Sequence, residues 1–161
     1  MSTSQQLKMI SYRGGLVIFA LPISWREEYE PNGGGSFYED RPQSGTLRLN
    51  VLNFSSKDVP AQKMAETAFP EGSFELLEDG FPLRRTVVDG EEEGHKLHLH
   101  TWEIAVPVAP YSLRIVVFKH TVLAGQENDP AIAQELEFIN SSIHAGSYSQ
   151  EQGVAGSYIQ R

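Results

Sequence analysis

Cysteine is absent from the 161 residues, which excludes disulfides, thiol nucleophiles and cysteine-ligated zinc. Basic residues are scarce: 13 Lys and Arg stand against 21 Asp and Glu, for a formal net charge of −8. No run of four basic residues occurs, and nucleic-acid or acidic-membrane binding needs clustered Lys and Arg. The expected partner is therefore another protein, not nucleic acid or membrane. No apolar stretch approaches the roughly 20 residues that span a bilayer. Met1 to Tyr12 has neither the basic segment nor the apolar run of a signal peptide. A cytoplasmic location is expected. No internal repeat is found.

What is present is enough for a core. Hydrophobic residues make up 40% and charged residues 21%, and a chain of this length buries roughly 68–70% of its unfolded surface. Residues 1–146 read as one α+β domain. Residues 147–161, beginning Ser-Tyr-Ser-Gln-Glu-Gln-Gly, have no periodicity and are expected to be a flexible tail that contributes little to stability.

Leu7 to Tyr12 reads as a short strand, with Gly14-Gly15 as the turn after it. Leu16 to Leu21 is continuously apolar, as in a strand buried on both faces. Pro22 stops it, and Trp25 is expected to fold back on the sheet edge, buried. Glu30 to Gly35 is a loop, Phe37-Tyr38 a short strand and Gln43-Ser-Gly45 a turn. Thr46 to Phe54 alternates strictly: Leu47, Leu49 and Val51 face one way, Thr46, Arg48 and Asn50 the other. A helix is expected at 58–69, capped by Ser56 or Asp58, with Ala61, Met64, Ala65 and Ala68 as its apolar stripe. Strands follow at 73–77, 83–89, 95–106 and 111–123, with turns at Asp79-Gly80, Asp89-Gly90 and Pro107 to Pro110. A last helix at 129–145 has Pro130 in its first turn and the stripe Ile132, Leu136, Ile139 and Ile143.

The strand at 95–106 is apolar on both faces, with Leu97 and Leu99 on one side and Trp102, Ile104 and Val106 on the other. Such a sheet needs cover on both faces. The expected fold is α+β: a largely antiparallel sheet of five to seven strands with a helix on each face, an α/β/α sandwich.

The opening strand into Leu21-Pro22 with Trp25 leads on to the Gly45-Thr-Leu-Arg-Leu strand and the helix near Ala61 to Phe69. The Trp102 strand and the closing helix with Ile139-Asn-Ser-Ser-Ile143 complete the order. Over residues 7–145 this resembles the PsbP-like α/β/α sandwich superfamily. That superfamily includes the extrinsic photosystem II protein, a Ran-binding nuclear-import factor and the DcrB-like proteins of bacteria. Its characterised members are mostly binding proteins without a known active site, and the resemblance implies a similar role. It carries no functional residue across.

Chemistry has few candidates. His98 and His100 lie two apart in a strand, on one face and about 6.6 Å apart. Pairing Val106 with Ser112 sets His98 opposite His120, and three imidazoles on one face are a known zinc arrangement. No nearby Asp is expected to orient a ligating imidazole, Glu103 points the other way, and no such support is visible. No metal or other cofactor is expected. His95 falls in a solvated turn. Asn32-Gly-Gly-Gly-Ser36 lacks the Gly-Lys-Ser/Thr ending and following helix of a P-loop, and no Gly-x-Ser-x-Gly elbow occurs. The acidic groups Glu27, Glu28, Glu30 and Glu91 to Glu93 read as solvated surface. No catalytic residue is assigned. The expectation is a non-catalytic protein-binding, adaptor or chaperone-like domain. The alternative is a metal- or small-ligand-binding protein centred on His98, His100 and His120.

Overall fold

The computed structural model describes residues 6–41 and 45–152. Its first element is the hairpin of β1 (Leu7–Tyr12) and β2 (Val17–Pro22). Alternation turns Ile10 and Tyr12 of β1 and Val17, Phe19 and Leu21 of β2 to one buried side. The turn between them runs through positive φ at Arg13, Gly14 and Gly15, the backbone region that glycine enters without steric cost.

A larger sheet follows. Its strands are β3 (Trp25–Tyr29), β4 (Gly35–Glu39), β5 (Thr46–Ser55), β6 (Glu75–Leu76), β7 (Pro82–Glu92), β8 (His95–Val108) and β9 (Ser112–Leu123), in the order β3-β4-β5-β9-β8-β7-β6. Every pairing in it is antiparallel. A two-residue strand, β10 (Ser147–Tyr148), joins β1 and β2 in a separate sheet ordered β1-β2-β10. The two sheets stack through aromatic rings. Phe19 meets Phe37 edge-on at 5.4 Å and Phe118 at 5.2 Å, distances at which such pairs attract.

The α+β class and the antiparallel pattern are therefore present, with α1 (Ala61–Glu66) and α2 (Pro130–His144) as the helices. The sandwich with a helix on each face is corrected. Phe19 and Leu21 of the small sheet share one core with Ile132, Leu136, Ile139 and Ile143 of α2, against Trp102, Ile104, Val116 and Phe118. The cover there is a sheet and a helix together. α1 is only six residues long and seats Ala65, with Phe69 beyond its end, on Ala105, Leu113, Ile115 and Val117. The neighbours of Leu113 and Ile115 on β5, Phe54 and Leu52, stay 48% exposed. The helix expected at 58–69 shrinks because Ser56 caps a preceding turn instead. Its hydroxyl accepts from the Val59 N–H at 2.9 Å, and Pro60 stays extended as the N-cap residue.

Both tryptophans are buried, Trp25 at 5% and Trp102 at 0% exposure. The expected tail is also corrected at its start. Ser147 and Tyr148 pair with Ile18 and Val17, Tyr148 donates to the Ile143 carbonyl at 2.6 Å, and the buried Arg114 donates to the carbonyls of Ser149 and Glu151. Residues 153–161 of that expectation, and Gln43 and Ser44 of the expected turn, lie outside the described residues.

Candidate functional site: a cleft beside a buried ionic ladder

α2 begins at Asp129, whose carboxylate accepts from the Ala131 N–H at 3.0 Å. This cap fixes the phase of the helix. With Ile132, Leu136 and Ile139 turned to the core, Glu135 falls on the same stripe and its carboxylate is only 4% exposed. A buried carboxylate needs partners, and it has two. Oε2 accepts from Nε2 of His120 at 2.8 Å. Oε1 accepts from the Arg41 guanidinium at 2.9 Å. Arg41 also donates through Nε to Glu39 at the end of β4. Glu39 beside it, with help from Glu135 and Asp129, pushes the Arg41 pKa up.

Next to this ladder lies a cleft of about 350 Å³ between α2 and the β3–β4 end of the large sheet. Pro22, Trp25 and Phe138 give it apolar walls; Glu39, Arg41, Glu135 and Gln134 give it polar ones.

The histidines are arranged differently from the expectation. Val108, not Val106, pairs with Ser112, so His100 is opposite His120 and His98 is opposite Val122. β8 can run on through Pro107 because β7 pairing ends at Leu83 and Ile104. Beyond that point β8 has a neighbour on one side only, where proline is tolerated. A two-residue shift leaves all three histidines on the predicted face. They do not converge. His98 Nδ1 and His100 Nε2 both reach Oε2 of Glu127, at 2.6 and 3.1 Å, while His120 goes to Glu135. The expected lack of orienting carboxylates is corrected too. Glu135 comes from α2 and Glu127 from the short 3-10 helix Gln126–Asn128, which no strand spacing reveals, and Asp89 of β7 lies 3.5 Å from His98 Nε2. Among the described residues no group of three or more His, Asp or Glu side chains could hold a metal ion. His98 lines a separate trough of about 400 Å³ with Asp89, Lys96 and Ala124. Gly45 sits where a Cβ would lie 2.5 Å from His120 Nε2 and 2.7 Å from the Thr121 carbonyl. That position has no room for a larger residue.

Of the acidic groups read as solvated surface, Glu27 and Glu28 are in β3, and Glu91 and Glu92 end β7. The sequence reading missed Arg41, Glu127 and Glu135. Glu135 had a visible signal, since it is an acid at the i+3 position of the Ile132 stripe.

His100 gives a pH prediction. Burial holds its pKa below the usual imidazole value, against the raising effect of Glu127, with Arg85 and His120 adding to the lowering. Burial raises the Glu127 pKa, but hydrogen bonds from His100 and His98 outweigh it and the net shift is downward. The unfolded chain binds a proton at residue 100 first as pH falls below about 6.5, so stability falls there. The Glu127 contribution is full above about 4.5 and is lost as pH falls through its lower folded value. Urea unfolding from pH 8 to pH 5 should show stability declining with acid, and His100→Phe should flatten the decline. An equally steep variant would remove His100 as its source.

An α+β domain with two stacked antiparallel sheets and a cleft at their joint is the class defined by this geometry. No family model and no curated protein matches the chain. Solved structures share the fold, two of them as follows. LpqN, involved in cell envelope biogenesis of Mycobacterium tuberculosis, matches with a TM-score of 0.57 at 12% identity, over 90% of this chain and 91% of LpqN. A protein from Bacteroides thetaiotaomicron VPI-5482 matches with a TM-score of 0.54 at 20% identity, over 88% of this chain. This chain spans about half of that protein, 48%. At such identities the likeness is one of fold.

Proposed function

We propose that this chain is a non-catalytic binding domain, adaptor- or chaperone-like, that engages another protein through the cleft between α2 and the β3–β4 end. The observation that carries the reading is the cleft lining. It presents aromatic and charged recognition groups, and among the described residues that line it there is no Ser, Thr, Tyr, Lys or His. Its two carboxylates are both engaged by Arg41. Such a lining suits holding a ligand better than transforming one. The PsbP-like resemblance supports the same reading, because characterised members of that superfamily are mostly binding proteins.

Photocrosslinking in the native host tests it. A benzophenone amino acid at Gln134, on the exposed rim of the cleft, should trap a discrete protein adduct. The same group at Lys57, away from the cleft, should not. Adducts at neither position, or the same adducts at both, would remove the cleft as the binding site.

A further inference from the structure

We infer that the cleft takes a basic side chain, arginine ahead of lysine, from an extended segment of the partner protein. This rests on the binding-domain reading above and adds the chemistry of the partner.

Charge favours a cation. The lining holds two carboxylates, Glu39 and Glu135, and one guanidinium, Arg41, so two negative charges less one positive leave one net negative charge. Asp129 acts on Arg41 as well and adds a further negative charge at the α2 start. The whole chain, at −8, attracts cations over longer range.

The geometry fits a guanidinium. Arg41 already shows how this site grips a guanidinium, with one carboxylate from β4 and one from α2 on separate nitrogens. The two acids differ in reach. Glu135 is 4% exposed and committed to Arg41 and His120, while Glu39 is 35% exposed and meets solvent in the cleft. An incoming cation would join Glu39 without disturbing Glu135. An anion would meet Arg41 with two carboxylates already beside it, and their negative charge opposes it.

The walls suit its stem. Trp25, Phe138 and Pro22 form apolar surface beside the charges. The methylene stem of an arginine packs on such surface while its flat head pairs with a carboxylate. A volume of about 350 Å³ accommodates one or two side chains and excludes a folded surface.

Fluorescence anisotropy with labelled peptides of the form acetyl-Gly-Phe-X-Gly-amide tests the inference, with X as arginine, lysine, citrulline or glutamate. The arginine peptide should bind about tenfold more tightly than its neutral isostere citrulline, as a charge-assisted pair implies. Glu39→Gln should remove most of that preference. Ala131→Arg, which sets a tethered guanidinium at the rim, should block the peptide. Glu93→Gln, a matched charge change in the β7–β8 turn, should leave binding unchanged. Equal binding of the arginine and citrulline peptides overturns the inference, as does no saturable binding of the arginine peptide. In either case adducts trapped at Gln134 would still support a binding domain, so the two ideas fail separately.

Discussion

Truncation after Gly146 should lower the melting temperature by roughly 10–20 °C. Two losses combine. Tyr148 is 5% exposed, and its ring leaves the core along with its hydrogen bond to Ile143. Arg114 is 1% exposed and loses the Ser149 and Glu151 carbonyls that hold its guanidinium. Taking hydrogen-bond acceptors from a buried guanidinium costs about 3–5 kcal/mol. Losing the aromatic ring adds to that, offset by the freedom regained by the released residues. A total of about 5 kcal/mol at 2–4 °C per kcal/mol gives the stated range for a chain of this size. Calorimetry of the full and shortened chains measures it. The mechanism has its own check: in an Arg114→Met background no buried charge remains to strand, so the same truncation should cost much less. A full chain and a shortened chain that melt within a few degrees of each other would show that the C-terminal contacts carry no weight.

The contrast between this expectation and a flexible tail shows where sequence reading stops. Tyr148 sits in Ser-Tyr-Ser-Gln, with no apolar neighbour to mark a strand. It pairs because β2 has a free edge, a fact about distant residues. Strands with strong alternation were legible: Leu47 and Leu49 face the core as expected, at 1% and 0% exposure. Turns were legible only where the backbone needed glycine. Asp79-Gly80 turns, with Gly80 at φ 94°, but Asp89-Gly90 lies within β7. The chain reverses instead at Glu93 and Gly94, whose φ values of 52° and 82° fit a two-residue hairpin loop. One face of β8 and β9 was read correctly and its register was not, because the register depends on where the hairpin closes. The partners of the histidines were invisible for a further reason. Glu127 and Glu135 arrive from segments after β9, and no spacing along a strand announces them.

Glu135→Leu should destabilise the protein by about 1–3 kcal/mol, the usual result of leaving a buried polar group without its hydrogen-bond partner. The helix should tolerate leucine, which has good propensity and extends the Ile132–Leu136 stripe. The cost arises across the interface. His120 is fully buried, and its Nε2–H loses its acceptor. Its Nδ1 already has no hydrogen-bond partner among the described residues, so both ring nitrogens would be left unpaired. Arg41 is buffered, because it is one-third exposed and keeps Glu39. The loss should therefore lie mainly with His120, and this makes the second variant informative. Adding His120→Leu removes the stranded imidazole, and replacing both polar partners by apolar groups is often close to neutral. The double variant should recover a large part of the single variant's loss in urea unfolding at pH 7.5. A single variant within about 1 kcal/mol of wild type would mean that Glu135 is hydrated. A double variant whose loss equals the sum of the two singles would mean that His120 and Glu135 are not coupled.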